Sequence, residues 1–192
     1  MQQSITIREK SQGAYYSDPI ESWAESAWRN HKLVLSPPAD LSAVAAYLGI
    51  RLVRRTMTTP AMLGAYFITP AGKPVIVVNK CIELITRQRW TIAHEIGHHL
   101  LRQPGEIGRI CVLGIPELEA DPPTERRADR FAAALLMPYW LVQEWFNDLS
   151  SNPTGHIAIM ADRFGVSLLA MKYRLKELRL GKGIFLRKRL SL

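Results

Sequence analysis

Residues 86–101 read TRQRWTIAHEIGHHLL, and this stretch decides how the rest of the chain is interpreted. Before it, apolar residues recur with a period near two, as in strands, whereas within it the period becomes 3.6. Ala93, Ile96 and Leu100 fall on one side of a helix, and Gly97 lies beside them. The pattern therefore predicts a helix whose apolar side packs against another element.

Histidine is concentrated in this helix, because three of the five histidines of the chain lie between residues 94 and 99. His94 and His98 are four residues apart, so their side chains project side by side and can hold one cation. Glu95 lies about 100° around the helix axis from His94. It flanks the site without being a ligand, which suits a general base that removes a proton from an attacking water. His99 points away from the pair and is not interpreted as a ligand.

A catalytic zinc site commonly has three protein ligands, so a third is needed. The best candidate is Glu125, in the stretch ERRADRFA over 125–132. Glu125 and Asp129 are four residues apart at the border between the apolar and charged faces of a predicted helix, where Asp129 can accept the other ring N–H of a zinc-bound histidine. The alternative is an ordinary charged helix start, in which Asp129 pairs with an arginine. Three competing carboxylates stand in a predicted loop: Glu106, Glu117 and Glu119.

Elsewhere the sequence predicts an α+β fold, in which a small, mainly antiparallel three-stranded sheet is packed with helices. Three β-rich runs separated by turns are expected to form a meander, and a further short strand is expected around 110–113. Asp40, Thr124 and Ser167 are predicted N-caps. The predicted strands cover 50–57, 62–68 and 75–79. The predicted helices cover 19–30, 41–48, 86–101, 125–137, 139–149, 156–164 and 168–178.

Composition excludes several classes of protein. No apolar run among the 192 residues reaches the roughly 18–20 residues that cross a bilayer, and the N-terminus has no apolar core of a signal peptide. The two cysteines, Cys81 and Cys111, do not make a disulfide framework. We therefore expect a cytoplasmic protein without membrane association. The net charge of +8 lies mostly in residues 171–192, where eight basic residues and one acidic residue give +7.

The sequence resembles the ImmA/IrrE metallopeptidases, a family of small, mostly bacterial zincins. The resemblance covers roughly residues 40–180 and rests on three blocks in order: VIVVN over 75–79, RQRWTIAHEIGH over 87–98, and ERRADRFAAALLMP over 125–138. It implies a fold of helices around a small sheet, with a zincin-like active-site helix. The resemblance thus implies a zinc metallo-endopeptidase.

Carried over position by position, the resemblance implies that His94, His98 and Glu125 bind one Zn²⁺ per chain and that Glu95 is the general base. Many members of the family inactivate helix-turn-helix repressors by cleavage and so switch on stress or mobile-element genes. The implied partner is therefore a protein substrate, a helix-turn-helix transcriptional repressor. The alternative is a DNA-binding or repressor-sequestering regulator with structural zinc and no proteolysis.

The chain is expected to divide into an N-terminal tail with a short helix (1–39), a zinc metallopeptidase domain (40–150) and a C-terminal helical segment with a basic tail (151–192). The last two predicted helices, joined by Gly-Val-Ser at 165–167, have the form of a helix-turn-helix. Either they bind DNA, or they pack on the catalytic unit or on a partner, as similar segments do in the family; we prefer packing. The apolar stripe is Leu168, Met171, Leu175 and Leu178, and the basic residues placed near phosphates by the DNA-binding interpretation are Lys172, Arg174, Lys176 and Arg179.

Peptide hydrolysis also needs a donor to the tetrahedral oxyanion. Tyr66, Tyr139 and His156 can each donate such a hydrogen bond. The sequence does not choose among them.

Overall fold

A computed structural model describes residues 18–29, 36–57, 61–102, 108–112, 122–148 and 153–180. Within them, seven helices and a mixed sheet form the α+β fold that the sequence predicts. None of these helices combines the length and the apolar character that a membrane span requires. Several predicted features lie outside the described residues: the tail over 1–17, Glu106, Glu117, Glu119 and the basic run over 181–192.

The elements follow the predicted order along the chain. The helices are α1 (Pro19–Arg29), α2 (Leu41–Tyr47), α3 (Ile85–Leu101), α4 (Pro122–Leu136), α5 (Tyr139–Asp148), α6 (Pro153–Phe164) and α7 (Leu168–Glu177). The strands are β1 (Arg51–Arg55), β2 (Met62–Ile68), β3 (Pro74–Asn79) and β4 (Gly108–Val112). Two predicted N-caps are confirmed. Asp40 accepts hydrogen bonds from the backbone N–H groups of Ser42 and Ala43 at 2.9 and 3.1 Å, and Ser167 accepts one from Ala170 at 3.1 Å.

Two helices begin earlier than predicted, and both begin at a proline. α4 starts at Pro122, so Thr124 lies inside its first turn instead of capping it. α6 starts at Pro153, three residues before the predicted start at His156. Proline is favoured in the first turn of a helix, since its fixed φ is already helical and its missing N–H has no intrahelical partner there. The sequence interpretation placed both prolines in the loops before these helices.

The strand order is β1-β3-β2-β4, so the predicted meander was wrong. β3 lies between β1 and β2, parallel to β1 and antiparallel to β2, and β4 extends the sheet by pairing antiparallel with β2. The sequence of β3, PVIVVN, is almost entirely apolar and suits a strand covered on both faces, whereas β1, RLVRR, suits an edge where arginines reach water. The sheet is therefore mixed, with two antiparallel pairings out of three.

α3 packs against α4 on one side and against β2 and β3 on the other. Its apolar residues Ile92, Ala93 and Ile96 are buried, as the helical period predicts. α1 covers the far side of α4, where the rings of Trp23 and Phe131 lie 5.0 Å apart. α3 is thus enclosed between the sheet and α4.

The C-terminal helices join the same hydrophobic core, since Met160 and Phe164 of α6 and Met171 and Leu175 of α7 are fully buried in it. Of the predicted apolar stripe on α7, only Leu168 departs from the expectation, at 45% exposure. The packing interpretation of α6 and α7 agrees with this arrangement. The division of the chain near residue 150 stays a prediction.

Candidate metal centre

The close approach of α3 and α4 depends on Gly97. A Cβ atom at this position would lie 3.2 Å from both Cα and the carbonyl oxygen of Ala128, and 3.1 Å from a ring carbon of Phe131. Any larger residue would push the helices apart, because backbone atoms cannot move aside as a flexible side chain can. The glycine therefore lets the histidines of α3 lie against the first turns of α4.

Three potential ligands converge where these helices meet. The Nε2 atoms of His94 and His98 lie 2.9 Å apart. The two carboxylate oxygens of Glu125 lie 3.0 Å from Nε2 of His94 and 3.2 Å from Nε2 of His98. Both histidines are buried, and Glu125 is partly buried. One potential ligand atom from each of these residues lies within 4.8 Å of the other two, so all three can reach one ion.

Asp129 fixes the orientation of one histidine. Its Oδ1 accepts a hydrogen bond from Nδ1–H of His94 at 2.9 Å. A neutral His94 that donates from Nδ1 presents only a lone pair at Nε2. Nε2 of His94 faces the Glu125 carboxylate, which is an acceptor, so this contact is satisfied either by a proton on Nε2 or by a metal ion that both groups bind. The donor set and its geometry therefore fit a divalent metal, and two imidazoles with one carboxylate are ligands that zinc takes in catalytic sites.

The electrostatics of Glu125 agree with a ligand role. Burial by itself would raise the pKa of this carboxyl group. The hydrogen bonds and positive charge of His94 and His98 outweigh burial and hold the pKa well below its usual range. Glu125 is consequently ionised at neutral pH, as metal ligation requires.

Glu95 lies beside the three ligands but does not join them. Its side chain is fully buried, and neither carboxylate oxygen has a hydrogen-bond partner within the described residues. Burial raises its pKa to about 8, with His94 opposing the rise and Glu125 adding to it. A group with a pKa near neutrality both takes up and releases protons readily. The geometry thus places a titratable carboxyl group next to the candidate metal centre.

A cleft with a volume of about 910 Å³ leads to this centre. The candidate ligands His94 and Glu125 line it together with Asp129, and α7 with its N-cap forms one wall. The wall residues of α7 and its cap are Ser167, Leu169, Ala170, Tyr173, Arg174 and Glu177. The cleft is thus built jointly by α3, α4 and α7.

Comparison with known families agrees with this site. A peptidase M78 family model, described as the IrrE N-terminal-like domain, matches residues 45–176. The chain belongs to this family. The M78 peptidases are metallopeptidases that generally depend on zinc, and membership supports a metallopeptidase-type function for the chain. A comparison with curated proteins finds no match.

Two arginines, Arg174 and Arg89, hold the α7 wall of this family member in place. Arg174, 1% exposed, pairs with both carboxylate oxygens of Glu21 in α1 at 2.7 and 2.9 Å, and also pairs with Glu177. Its Nε donates to the carbonyl oxygen of Met137 at 2.9 Å. The DNA-binding interpretation placed Arg174 near phosphates. That placement was wrong, because the guanidinium group is buried in ion pairs inside the protein.

Arg89 holds the turn that precedes the N-terminal end of α7. Its guanidinium group donates to the carbonyl oxygen of Gly165, in the turn before α7, at 3.1 Å and to that of Ala39 at 3.0 Å. Gly165 has a positive φ of 63°, and a Cβ there would lie 2.8 Å from Nε of Arg89. Arg89 belongs to the block that resembles the family, but only the structure shows that it ties α3 to the turn between α6 and α7.

The three predicted oxyanion donors lie elsewhere. The hydroxyl group of Tyr66, a buried residue of β2, lies 3.0 Å from Nδ1 of His99. Tyr139 begins α5 and His156 lies in α6. The structure brings none of the three to the walls of the cleft, whereas Tyr173 of α7, which the sequence did not single out, lines it.

Proposed function

We propose that the chain is a zinc-dependent endopeptidase that cleaves a helix-turn-helix transcriptional repressor at a specific site in the cytoplasm. One observation carries the enzymatic part of this proposal: His94, His98 and Glu125 converge within reach of one ion beside a cleft that His94 and Glu125 line, next to the buried carboxyl group of Glu95. Membership of the M78 family supports the same conclusion.

In this proposal His94, His98 and Glu125 hold one zinc ion per chain. The bound ion polarises the scissile carbonyl group and increases the acidity of water. Asp129 keeps His94 in the tautomer that presents Nε2 to the ion. The cleft positions the substrate peptide over the three ligands.

Glu95 acts as the general base and then as the general acid. It removes a proton from the attacking water and delivers it to the leaving amine, so the carboxyl group is regenerated with each turnover. Its burial beside His94 keeps it at the reacting atoms, and the positive charge of an ion held by its neighbours would lower its pKa and favour the carboxylate that accepts the proton. From the sequence, the candidates for the oxyanion donor are Tyr66, Tyr139 and His156. Among the described residues, the tyrosine that lines the cleft is Tyr173.

The repressor is proposed as substrate because of the resemblance to the ImmA/IrrE metallopeptidases, and it links the activity to stress or mobile-element regulation. The burial of Arg174 favours this proposal over direct DNA binding by the C-terminal helices, since one of the four basic residues in that interpretation cannot reach a phosphate. The trapping experiment that follows distinguishes proteolysis from binding of a repressor without cleavage.

The test uses the full chain with Glu95→Gln, and with Glu144→Gln as a matched control at an exposed position of α5. The zinc-loaded Glu95→Gln chain serves as a trap in extracts of its own host, and the captured protein is then incubated with the wild type. We expect one zinc per chain in all three proteins by elemental analysis. We expect the wild type and Glu144→Gln to cut the captured repressor at one bond, and Glu95→Gln to leave it intact. A captured repressor that the wild type never cuts would show sequestration instead, and full activity of Glu95→Gln would remove Glu95 as the base.

A further inference from the structure

Large apolar side chains are exposed around one part of the cleft. Leu84, Leu169 and Tyr173 line it and are 66%, 61% and 64% exposed. Ile85 and Leu168, their neighbours in sequence, are also exposed. Exposed apolar side chains that cluster in this way are uncommon on a protein surface and mark a binding surface. The apolar rim, as we call Leu84, Leu169 and Tyr173, therefore needs an apolar partner.

The rim lies at a definite distance from the candidate metal centre. Arg87, Thr91 and His94 line the cleft along one face of α3, and Leu84 lines it from the N-cap position of this helix. With a rise of about 1.5 Å per residue, Arg87 lies about 10 Å from His94 along the helix axis and Leu84 about 15 Å. Residues along this face of α3 therefore lie at defined distances from the metal centre.

Arg87 is the one arginine of the cleft whose charge no carboxylate within the described residues balances. Its side chain is exposed and makes no ion pair within the part of the chain that the structure describes. The other cleft arginines are matched: Arg130 pairs with Glu177, and Arg174 pairs with Glu177 and Glu21. The two cleft carboxylates at the metal centre, Glu125 and Asp129, face His94. A ligand that extends along α3 thus meets a positive charge first and the apolar rim next.

We propose that this cleft binds an extended peptide segment with an acidic side chain about three residues from the scissile bond and a large apolar side chain about five residues from it, on the same side. Arg87 binds the carboxylate, and the rim of Leu84, Leu169 and Tyr173 covers the apolar side chain. The residue counts follow from about 3.3 Å per residue in an extended chain, set against about 10 and 15 Å along α3. The inference rests on the proposed function, because the scissile bond is placed at the metal centre.

The charges and the rim together select this occupant. An acidic group adjacent to an apolar one complements Arg87 and the rim, whereas a basic segment would be repelled by Arg87. A nucleic acid would leave the apolar rim uncovered. Arg87 and the rim therefore set substrate preference, and His94, His98, Glu125 and Glu95 carry out hydrolysis.

Peptide selection tests the preference separately from cleavage. The probe is a library of phage-displayed random dodecapeptides, selected on the zinc-loaded full chain with Glu95→Gln. We expect the selected peptides to contain Asp or Glu within two positions of a large apolar residue. A synthetic peptide from this selection is then measured for binding by fluorescence anisotropy, with Lys in place of the acidic residue as the paired probe.

Two variants in the Glu95→Gln background locate the binding. Arg87→Glu is expected to weaken binding of the acidic peptide about five- to tenfold and to strengthen binding of the lysine peptide. Leu169→Ser is expected to weaken both. Their matched controls, Arg51→Glu on the edge strand β1 and Ile159→Ser on α6, make the same chemical changes at exposed positions outside the cleft and are expected to change neither affinity.

The outcomes separate this proposal from the proposed function. If the selected peptides show no acidic and apolar pair, or if Arg87→Glu binds them as the starting chain does, the assignment of the cleft is overturned even when the wild type is an active peptidase. If the preference and the charge exchange are found but the wild type cuts none of the peptides, the recognition surface is supported and the proposed proteolysis fails.

Discussion

Nδ1 of His94 donates a hydrogen bond to Oδ1 of Asp129 at 2.9 Å, and this contact determines which nitrogen of the ring faces Glu125. The two partners are 35 residues apart in sequence and belong to the facing helices α3 and α4. Because the contact directs Nε2 of His94 toward Glu125, it holds one of the candidate ligands in the orientation that a shared ion needs.

Replacing Asp129 by Ala should weaken zinc binding about 10- to 100-fold, since the His94 ring loses the partner that fixes its tautomer and orientation. Affinity is measured by competition with a chromophoric chelator. Asp148→Ala, at an exposed position near the end of α5, is the control and should bind zinc like the wild type. Unchanged affinity of Asp129→Ala would show that the contact does not prepare the site.

The stability of the metal-free chain should depend on Glu95 through pH. Because the pKa of Glu95 is raised from 4.5 to about 8, the folded chain keeps a proton between these values that the unfolded chain has lost. The free energy of unfolding contributed by this group therefore falls as the pH rises through that window.

Glu95→Gln removes this titration. The difference in unfolding free energy between the metal-free variant and the metal-free wild type should therefore shift in favour of the variant from pH 5 to pH 8. Urea unfolding after chelation and dialysis measures the difference. Glu144→Gln should follow the wild type at both pH values. A constant difference between Glu95→Gln and the wild type would contradict the assigned pKa.

Gly64→Ala should destabilise the chain by about 1–3 kcal/mol. A Cβ at this position of β2 would lie 2.6 Å from Cγ2 of Thr91 and 3.0 Å from Oε1 of Glu95. Thr91 cannot turn away freely, since its hydroxyl group donates to the carbonyl oxygen of Arg87 at 3.0 Å. The double variant Gly64→Ala/Thr91→Ser keeps that hydrogen bond and loses the clashing methyl group. It should recover much of the stability in thermal unfolding, and failure to recover any would place the strain elsewhere.

Arg174→Met should cost about 3–5 kcal/mol of unfolding free energy, because it leaves Glu21 buried without its partner. The double variant Arg174→Met/Glu21→Met removes the stranded charge and should recover most of the loss. Arg29→Met breaks a partly exposed pair with Glu25 within α1 and should cost less than about 1 kcal/mol. Urea unfolding of the four proteins compares these values. Equal losses for Arg174→Met and Arg29→Met would show that burial of the α1–α7 pair has no energetic role.

Features that depend on neighbours in sequence were predicted well. The helical period of residues 86–101, the caps at Asp40 and Ser167 and the placing of His94 beside His98 all follow from residues three or four positions apart. Helix starts at Pro122 and Pro153 were missed, although the same local chemistry accounts for them.

The sequence by itself determined the α+β class, the helix that carries the paired histidines and the identity of the candidate ligands. Only the tertiary structure decided that β3 enters between β1 and β2, that Arg174 pairs with Glu21 across 153 positions, and that α7 walls the cleft. The physical reason is the range of the interactions. Helical period and capping are fixed by bonds and sterics between near neighbours, whereas strand order, buried ion pairs and cleft walls depend on which distant surfaces bury the most apolar area together and still satisfy their charges.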